Sequence, residues 1–160
     1  MEQVKKEGKV RHVAISSTLP HLPVFLKWGV FETYQIPYSA LERAHEDLIG
    51  EVAKAGCGVI VRGGVARGEP GEGLGGQDRW KKFEEAKLDE LLASGESRTT
   101  FLMRYTISHP GMHTTIVGTK KPDHLAENIK AVQAGSLPPD VYAEAKRRLS
   151  AAGEVPVATN

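Results

Sequence analysis

A single cysteine, Cys57, stands in 160 residues, which excludes an internal disulfide and any zinc site built on several thiolates. Set between Gly56 and Gly58 in an apolar run, it reads as a small buried hydrophobe. An excess of charge of one sign is also lacking. Lys and Arg number 21 against 20 Asp and Glu, a net charge of +1, so no global field can hold nucleic acid or an anionic membrane, and any anion site must be local. No window approaches the roughly eighteen apolar residues of a membrane span, and the opening MEQVKKEGKV has no apolar core of a signal peptide. A cytoplasmic chain is expected. Also missing are G-x-S-x-G, H-E-x-x-H and paired carboxylates at successive strand ends, so no nucleophilic or zinc-hydrolase constellation can be drawn.

What is present is an alternation of strand-length apolar runs with segments of helical period. The run KVRHVAIS predicts a strand over Val10 to Ile15, and LPHLPVFLKWG a short helix with Pro20 near its start and Gly29 as its stop. A second strand is expected in FETYQIPYS, a helix over Ala44 to Ala55 closed by Gly56, and a third strand in CGVIVRGG. That third run is apolar throughout, as strands covered on both faces are. The glycine-rich stretch from Gly63 to Gly76 reads as a loop. Helices are expected over Arg79 to Leu92 and Arg98 to Ser108, a fourth strand in TTIVG, and a following helix with Leu125, Ile129 and Val132 as its apolar stripe. A last helix runs from Pro138 or Pro139 to about Ala152. Strict alternation argues for parallel βα units in one domain, either half of an eight-stranded barrel or a small open sheet.

Several patterns invite chemistry. GEGLGG matches G-x-G-x-x-G at Gly71, Gly73 and Gly76, but it lies away from any strand-turn-helix junction and reads as a flexible loop. His109 and His113 have metal-pair spacing, yet Pro110 and Gly111 between them prevent a shared helical face, and loop or capping roles are expected. The KRR at Lys146 to Arg148 falls near a helix C-terminus, where cations suit the dipole. Four polar clusters fall where strands end: Ser16-Ser17, Gln35, Arg62-Gly63-Gly64 and Gly118-Thr119-Lys120. Singly they are ordinary loop residues; in a parallel barrel all four would meet on the C-terminal rim and form a site.

GKVRHVAISS, YQIPYSALER, GVIVRGGVARG, ISHPGMHTTIVGT and PDHLAENI resemble, in order and spacing, the fifth to eighth strand segments of the aldo-keto reductases. The resemblance covers almost the whole chain and implies the C-terminal half of a (β/α)8 TIM barrel, residues 1–160 forming one partial domain that binds NADP(H). It implies that Ser16, Ser17 and Gln35 hold the nicotinamide carboxamide, with Ser17 standing where the family has Asn. Arg62 takes the place of a stacking aromatic residue, where its charge would favour the neutral reduced nicotinamide over the cation. Gly63, Gly64, Val65 and Arg67 belong to the loop expected to pass over the pyrophosphate. Gly118, Thr119, Lys120, His124, Glu127 and Asn128 map onto the grip on the 2'-phosphate and adenine. A helix N-terminus with a nearby lysine suits a phosphate on physical grounds as well.

The family's acid-base chemistry rests on an Asp, a Tyr five residues later, a Lys and a His, all on its first four strands. Here the residues five before Tyr34, Tyr38, Tyr105 and Tyr142 are Gly29, Thr33, Thr100 and Leu137. No catalytic residue is therefore assigned, and the isolated chain is expected to be inactive toward carbonyls. Two functional classes follow: half of a reductase that meets its small carbonyl substrate only when the missing half is present, or a non-catalytic nucleotide-binding or assembly module. In either case pairing with itself or with a complementary half is expected, and neither nucleic acid nor membrane is an expected partner.

Overall fold

The computed structural model describes residues 2–158. A short helix α1 (Glu2–Lys6) precedes strand β1 (Ala14–Ser16), and α2 (Leu22–Trp28) leads to β2 (Thr33–Pro37). Helix α3 (Glu46–Lys54) connects to β3 (Gly58–Arg62). After the long loop come α4 (Gln77–Glu85), a 3-10 turn (Leu88–Leu91) and α5 (Arg98–Ile107), then β4 (Thr114–Ile116), α6 (Pro122–Gln133) and α7 (Pro139–Ala151).

The four strands form one parallel sheet in the order β1-β2-β3-β4. Sequential order matters: successive crossovers of one hand, with no reversal of direction across the sheet, put every connecting helix on the same face. Burial agrees. Tyr34, Ile36, Val59 and Val61 point into a fully covered core, where they pack with Leu48, Ile49 and Val52 of α3 and with Phe101, Leu102 and Tyr105 of α5. Their neighbours Thr33, Gln35, Gly58, Ile60 and Arg62 stay only partly covered on the opposite face. This is half of a barrel, helices outside and an open concave face inside. The apolar β3 run is thus covered on one face here, not two, because the strands that would roof its inner side are not part of the sheet.

Local chemistry sets the element ends. Gly29 closes α2 at φ +65° with its amide on the Leu26 carbonyl, a conformation that costs a glycine nothing. The single helix expected over Arg79 to Leu92 is instead two pieces, because Lys87 adopts a left-handed conformation (φ +50°) and the chain restarts as a 3-10 turn. The first strand is shorter than Val10 to Ile15 and begins at Ala14, although Val13 is buried and its carbonyl accepts from the Glu32 amide at 2.8 Å. On α6 the stripe Leu125, Ile129, Val132 is real but uncovered: it is the buried Asn128 and Ala131, not the stripe, that face the protein.

A buried ionic knot anchors the C-terminal helix. Arg43 and Glu46 are both nearly inaccessible, with Arg43 Nε donating to Glu46 Oε2 at 2.6 Å. Arg43 Nη1 also donates to the Lys146 carbonyl, Ser150 Oγ and the Glu154 carbonyl, and Lys146 pairs with the other Glu46 oxygen. Burial pushes the Glu46 carboxyl up, but the hydrogen bonds from Arg43 and Lys146 outweigh it and hold the group below its ordinary value. Burial lowers His45 and His109 instead. His109 Nε2 donates to the Glu46 carbonyl at 3.1 Å and its Nδ1 accepts from the Gly111 amide, which fixes the neutral ring.

These directions predict an acid profile. Below about pH 6.5 the unfolded chain takes up protons at His45 and His109 that the folded chain refuses, so stability should fall with pH from that point. Below about pH 4.5 the lowered carboxyl of Glu46 adds a second loss of the same sign. Urea midpoints measured from pH 8 to pH 4 check this, and a midpoint flat between pH 7 and pH 5 would contradict it.

Candidate active-site rim and nucleotide cleft

The C-terminal ends of the strands carry the polar clusters. On β1 and β2, Ser16 and Gln35 are register partners, and Ser16 Oγ donates to Gln35 Oε1 at 3.0 Å. That bond leaves both amide hydrogens of Gln35 and the lone pairs of Ser16 facing the concave side, a set able to hold a carboxamide by its carbonyl and its NH2. Ser17 is placed differently. Its amide extends the ladder to the Gln35 carbonyl at 3.3 Å, and its hydroxyl turns to the Thr18 carbonyl at 3.5 Å. Arg62 ends β3 half-buried on the same concave face as Gln35, beside Ile116 of β4.

Beyond β3 and β4 the rim opens into a cleft of about 850 Å³. One wall is the loop with Gly63, Gly64, Val65 and Arg67, and the other is the turn and first helical turns with Gly118, Thr119, Lys120, His124, Glu127 and Asn128. Ten of the expected residues thus converge on one cavity, while Ser16, Ser17, Gln35 and Arg62 lie outside it; Ser16 and Arg62 end their strands and Ser17 follows β1, but Gln35, expected at a strand end, is the central residue of β2. Gly63 turns the chain at φ +75°, and Gly64 sits so close that a Cβ would come within 3.0 Å of Thr106. Thr106 Oγ1 donates to the Gly64 carbonyl at 2.8 Å and locks that turn onto α5.

The start of α6 presents unpaired donors to the cleft. Lys121 takes the N-cap position with no side-chain cap, and Pro122 at the first helical position has no amide to spend. Thr119 Oγ1 accepts from the Lys121 amide at 3.1 Å and shapes the turn, leaving the first helical amides free. Lys120 and His124 stand beside them in the cleft, with Asp123 in the first turn offsetting part of the dipole. Glu127 is held by the Ser97 and Thr100 hydroxyls at the cap of α5, so its carboxylate is positioned rather than loose.

The cleft has a further acidic wall, which the sequence did not place there. Glu69 and Glu72 line it, as do Thr99, Gly73 and Leu74. Glu69 is partly neutralised by Arg98 at 3.1 Å, and Arg98 is itself held by both oxygens of Asp89. Lys121 Nζ reaches the Glu72 carbonyl at 3.4 Å, which ties the long loop across to the turn after β4. The length of that loop was the available signal: it must fold over some part of the rim, although nothing in its composition says which. In the GEGLGG stretch packing requires Gly73 and Gly75, while Gly71 turns the chain at φ +92° and Gly76 stands in open space. A Cβ at Gly75 would fall 2.0 Å from the Gly68 carbonyl and 2.4 Å from Trp80 Nε1, and one at Gly73 would strike Arg67 and Gly68.

The remaining candidates have structural roles. His113 Nδ1 accepts from the Val59 amide at 3.1 Å. Arg147 and Arg148 pair with Glu144, and Arg148 also with Glu90. The four tyrosines lie on the helical side of the sheet. Tyr34 donates to the Phe25 carbonyl, and Tyr38 and Tyr142 share a hydroxyl contact at 3.2 Å. Burial raises Tyr34, Tyr38 and Tyr105, and lifts Tyr142 to about 12. None of them reaches the rim as a proton donor. Among the described residues no helix is long and apolar enough to cross a membrane.

Comparison with known proteins agrees with the geometry. The model of the aldo/keto reductase family matches residues 1–149. An uncharacterized oxidoreductase of Bacillus subtilis, YqkF, is 27% identical over 150 residues, covering 85% of this chain and 49% of the relative. The chain therefore spans about half the length of that curated relative. The fold is similar to that of aldo-keto reductase AKR11C1 of Bacillus halodurans, with a TM-score of 0.74 at 24% identity over 92% of this chain and 51% of the other for the holo form. An aldo-keto reductase of Pseudomonas aeruginosa aligns with a TM-score of 0.58 at 20% identity, over 83% of this chain and 42% of its own. With its four sequential βα units matched to half of such barrels and its family model spanning nearly all of its length, the chain belongs to the aldo/keto reductase family.

Proposed function

We propose that this chain is the NADP(H)-binding half of an aldo-keto reductase that reduces small carbonyl compounds. The observation that carries the reading is the uncapped N-terminus of α6, with Lys120 and His124 beside it, facing the Gly63-to-Arg67 loop across one cleft on the rim that also bears the Ser16–Gln35 pair. Those donors match the separate parts of a dinucleotide in chemistry. Lys120 and the free amides of α6 suit a phosphate on the ribose, the loop after β3 suits the pyrophosphate, and Gln35 with Ser16 suits the carboxamide. When bound, the cofactor supplies the hydride. The chain's own residues bind and orient it, and they include no acid able to protonate the carbonyl oxygen. That proton donor belongs to a complementary half, so the chain alone is a binding unit. The competing reading, a non-catalytic nucleotide-binding module, rests on the same cleft and differs only in what covers the open strands.

Lys120→Ala tests the assignment. Loss of a charge-assisted contact should weaken NADPH by about 1–2 kcal/mol and NADH far less. Fluorescence titration of both cofactors reads the difference, and equal losses would return Lys120 to the solvent as an ordinary surface lysine.

A further inference from the structure

Both edges of the sheet are open. Among the described residues the outer sides of β1 and β4 have no strand neighbour. On α2, the helix that leads from the edge strand β1 to β2, Val24 and Trp28, with Val30 just after it, are about half exposed or more. At the other edge, Ile116 and Val117 on and after β4 and the Leu125, Ile129, Val132 stripe of α6 stand free. Eight of the eleven large hydrophobic side chains exposed among the described residues thus lie on β4 or in the segments that directly follow the two edge strands. An unpaired parallel edge flanked by such surface recruits another strand.

The amount of uncovered surface says how large the partner must be. The chain exposes 9230 Å². A compact monomer of 17.4 kDa exposes about 7,900 Å². The excess of about 1,300 Å² per copy, doubled on pairing, falls within the ~2,000–5,000 Å² buried by obligate homodimers. Symmetry says what shape meets it. The strands are parallel and run in sequential order, and the edge strands are equally short, Ala14–Ser16 and Thr114–Ile116. A two-fold rotation about the axis of the half barrel keeps all strands parallel and sets β4 of each copy against β1 of the other. Both edges are then satisfied at once, in a closed ring with none left over.

We propose that two copies of this chain close an eight-stranded parallel barrel, β4 of each copy pairing with β1 of the other, with the Leu125, Ile129, Val132 stripe and the Val24, Trp28, Val30 surface as the two sides of each seam. The proposal uses the half-barrel geometry and not the cofactor assignment, so a monomer that binds NADPH would sink the one and leave the other standing. In the ring both nucleotide clefts open on the same rim.

The test uses the unaltered chain. Light scattering should give about 35 kDa, twice the chain mass, constant across a hundredfold dilution series in the micromolar range. Amide exchange should be slow at 14–16 and 114–116 together. A constant mass of 17.4 kDa overturns the proposal, and if the first four βα units of the Bacillus subtilis relative then form a 1:1 complex with the monomer, the edges belong to a complementary half. Mass that climbs with concentration also overturns it, since edges that stack without closing make an open chain. So does a dimer whose edge amides still exchange freely, because the contact would then lie elsewhere. Ile129→Glu, with its circular dichroism checked, should be monomeric; a folded variant that stays dimeric contradicts the seam.

Discussion

Alone, the chain is expected to oxidise no NADPH in the presence of any aldehyde or ketone, and unfolded and refolded together with an excess of the first four βα units of a family relative, which then compete with the second copy for the open edges, it is expected to do so. The physical reason is the missing proton. A positioned general acid contributes roughly 10²–10⁴-fold to such a step. Tyr34, Tyr38 and Tyr105 are fully buried on the helical side, and the lifted Tyr142 meets Tyr38 instead of the rim. The concave face offers Ser16, Gln35 and Arg62, groups able to hold a ligand by hydrogen bonds but not to release a proton near neutral pH. The difference between the chain alone and the mixture should therefore be at least about 10²-fold in rate, the low end of what the acid supplies. Absorbance at the reduced-nicotinamide band follows it, and turnover by the purified chain alone would mean that an acid exists on the open face that its residues do not reveal.

The second large effect concerns Arg43. Replacing it with Ala leaves Glu46 buried with half its partners and frees the Lys146, Ser150 and Glu154 ends of the C-terminal helix at the same time. Breaking one member of a buried ion pair costs about 3–5 kcal/mol, and the lower end is expected here because Lys146 still reaches the carboxylate. The double variant Arg43→Met with Glu46→Met should recover much of the loss, because no uncompensated charge remains inside. Urea midpoints of the two variants decide it. A midpoint for Arg43→Ala within experimental error of the parent would show that the knot adds nothing to stability.

The sheet was legible because its signals are local. Runs such as GVIVRGG and TTIVG are short, apolar and bounded by turn residues, and Gly29 and Gly56 mark helix ends by a backbone conformation that other residues resist. Of the residues that the resemblance singles out, ten share one cavity and four do not. Three matters were not legible. The acidic wall of Glu69 and Glu72 depends on how a loop of many glycines folds back, and that is settled by contacts at Gly68, Gly73 and Trp80 far apart in sequence. The stripe on α6 reads as a core stripe in any helical projection. What the projection does not carry is whether a neighbouring strand exists to cover it, and here Leu125, Ile129 and Val132 face outward for want of one. Equally, Lys87 in a left-handed conformation breaks the helix expected over Arg79 to Leu92 without any glycine to announce it.

The central claim, that this half of the barrel carries the nucleotide grip, is tested most directly by titrating the isolated chain with adenosine 2',5'-bisphosphate and with adenosine 5'-monophosphate while following amide exchange. The account predicts saturable binding of the bisphosphate, tighter than the monophosphate by roughly 5–30-fold for one charge-assisted phosphate contact, with protection confined to 63–67 and 118–128. No binding of either nucleotide, equal binding of both, or protection outside those two segments would contradict it.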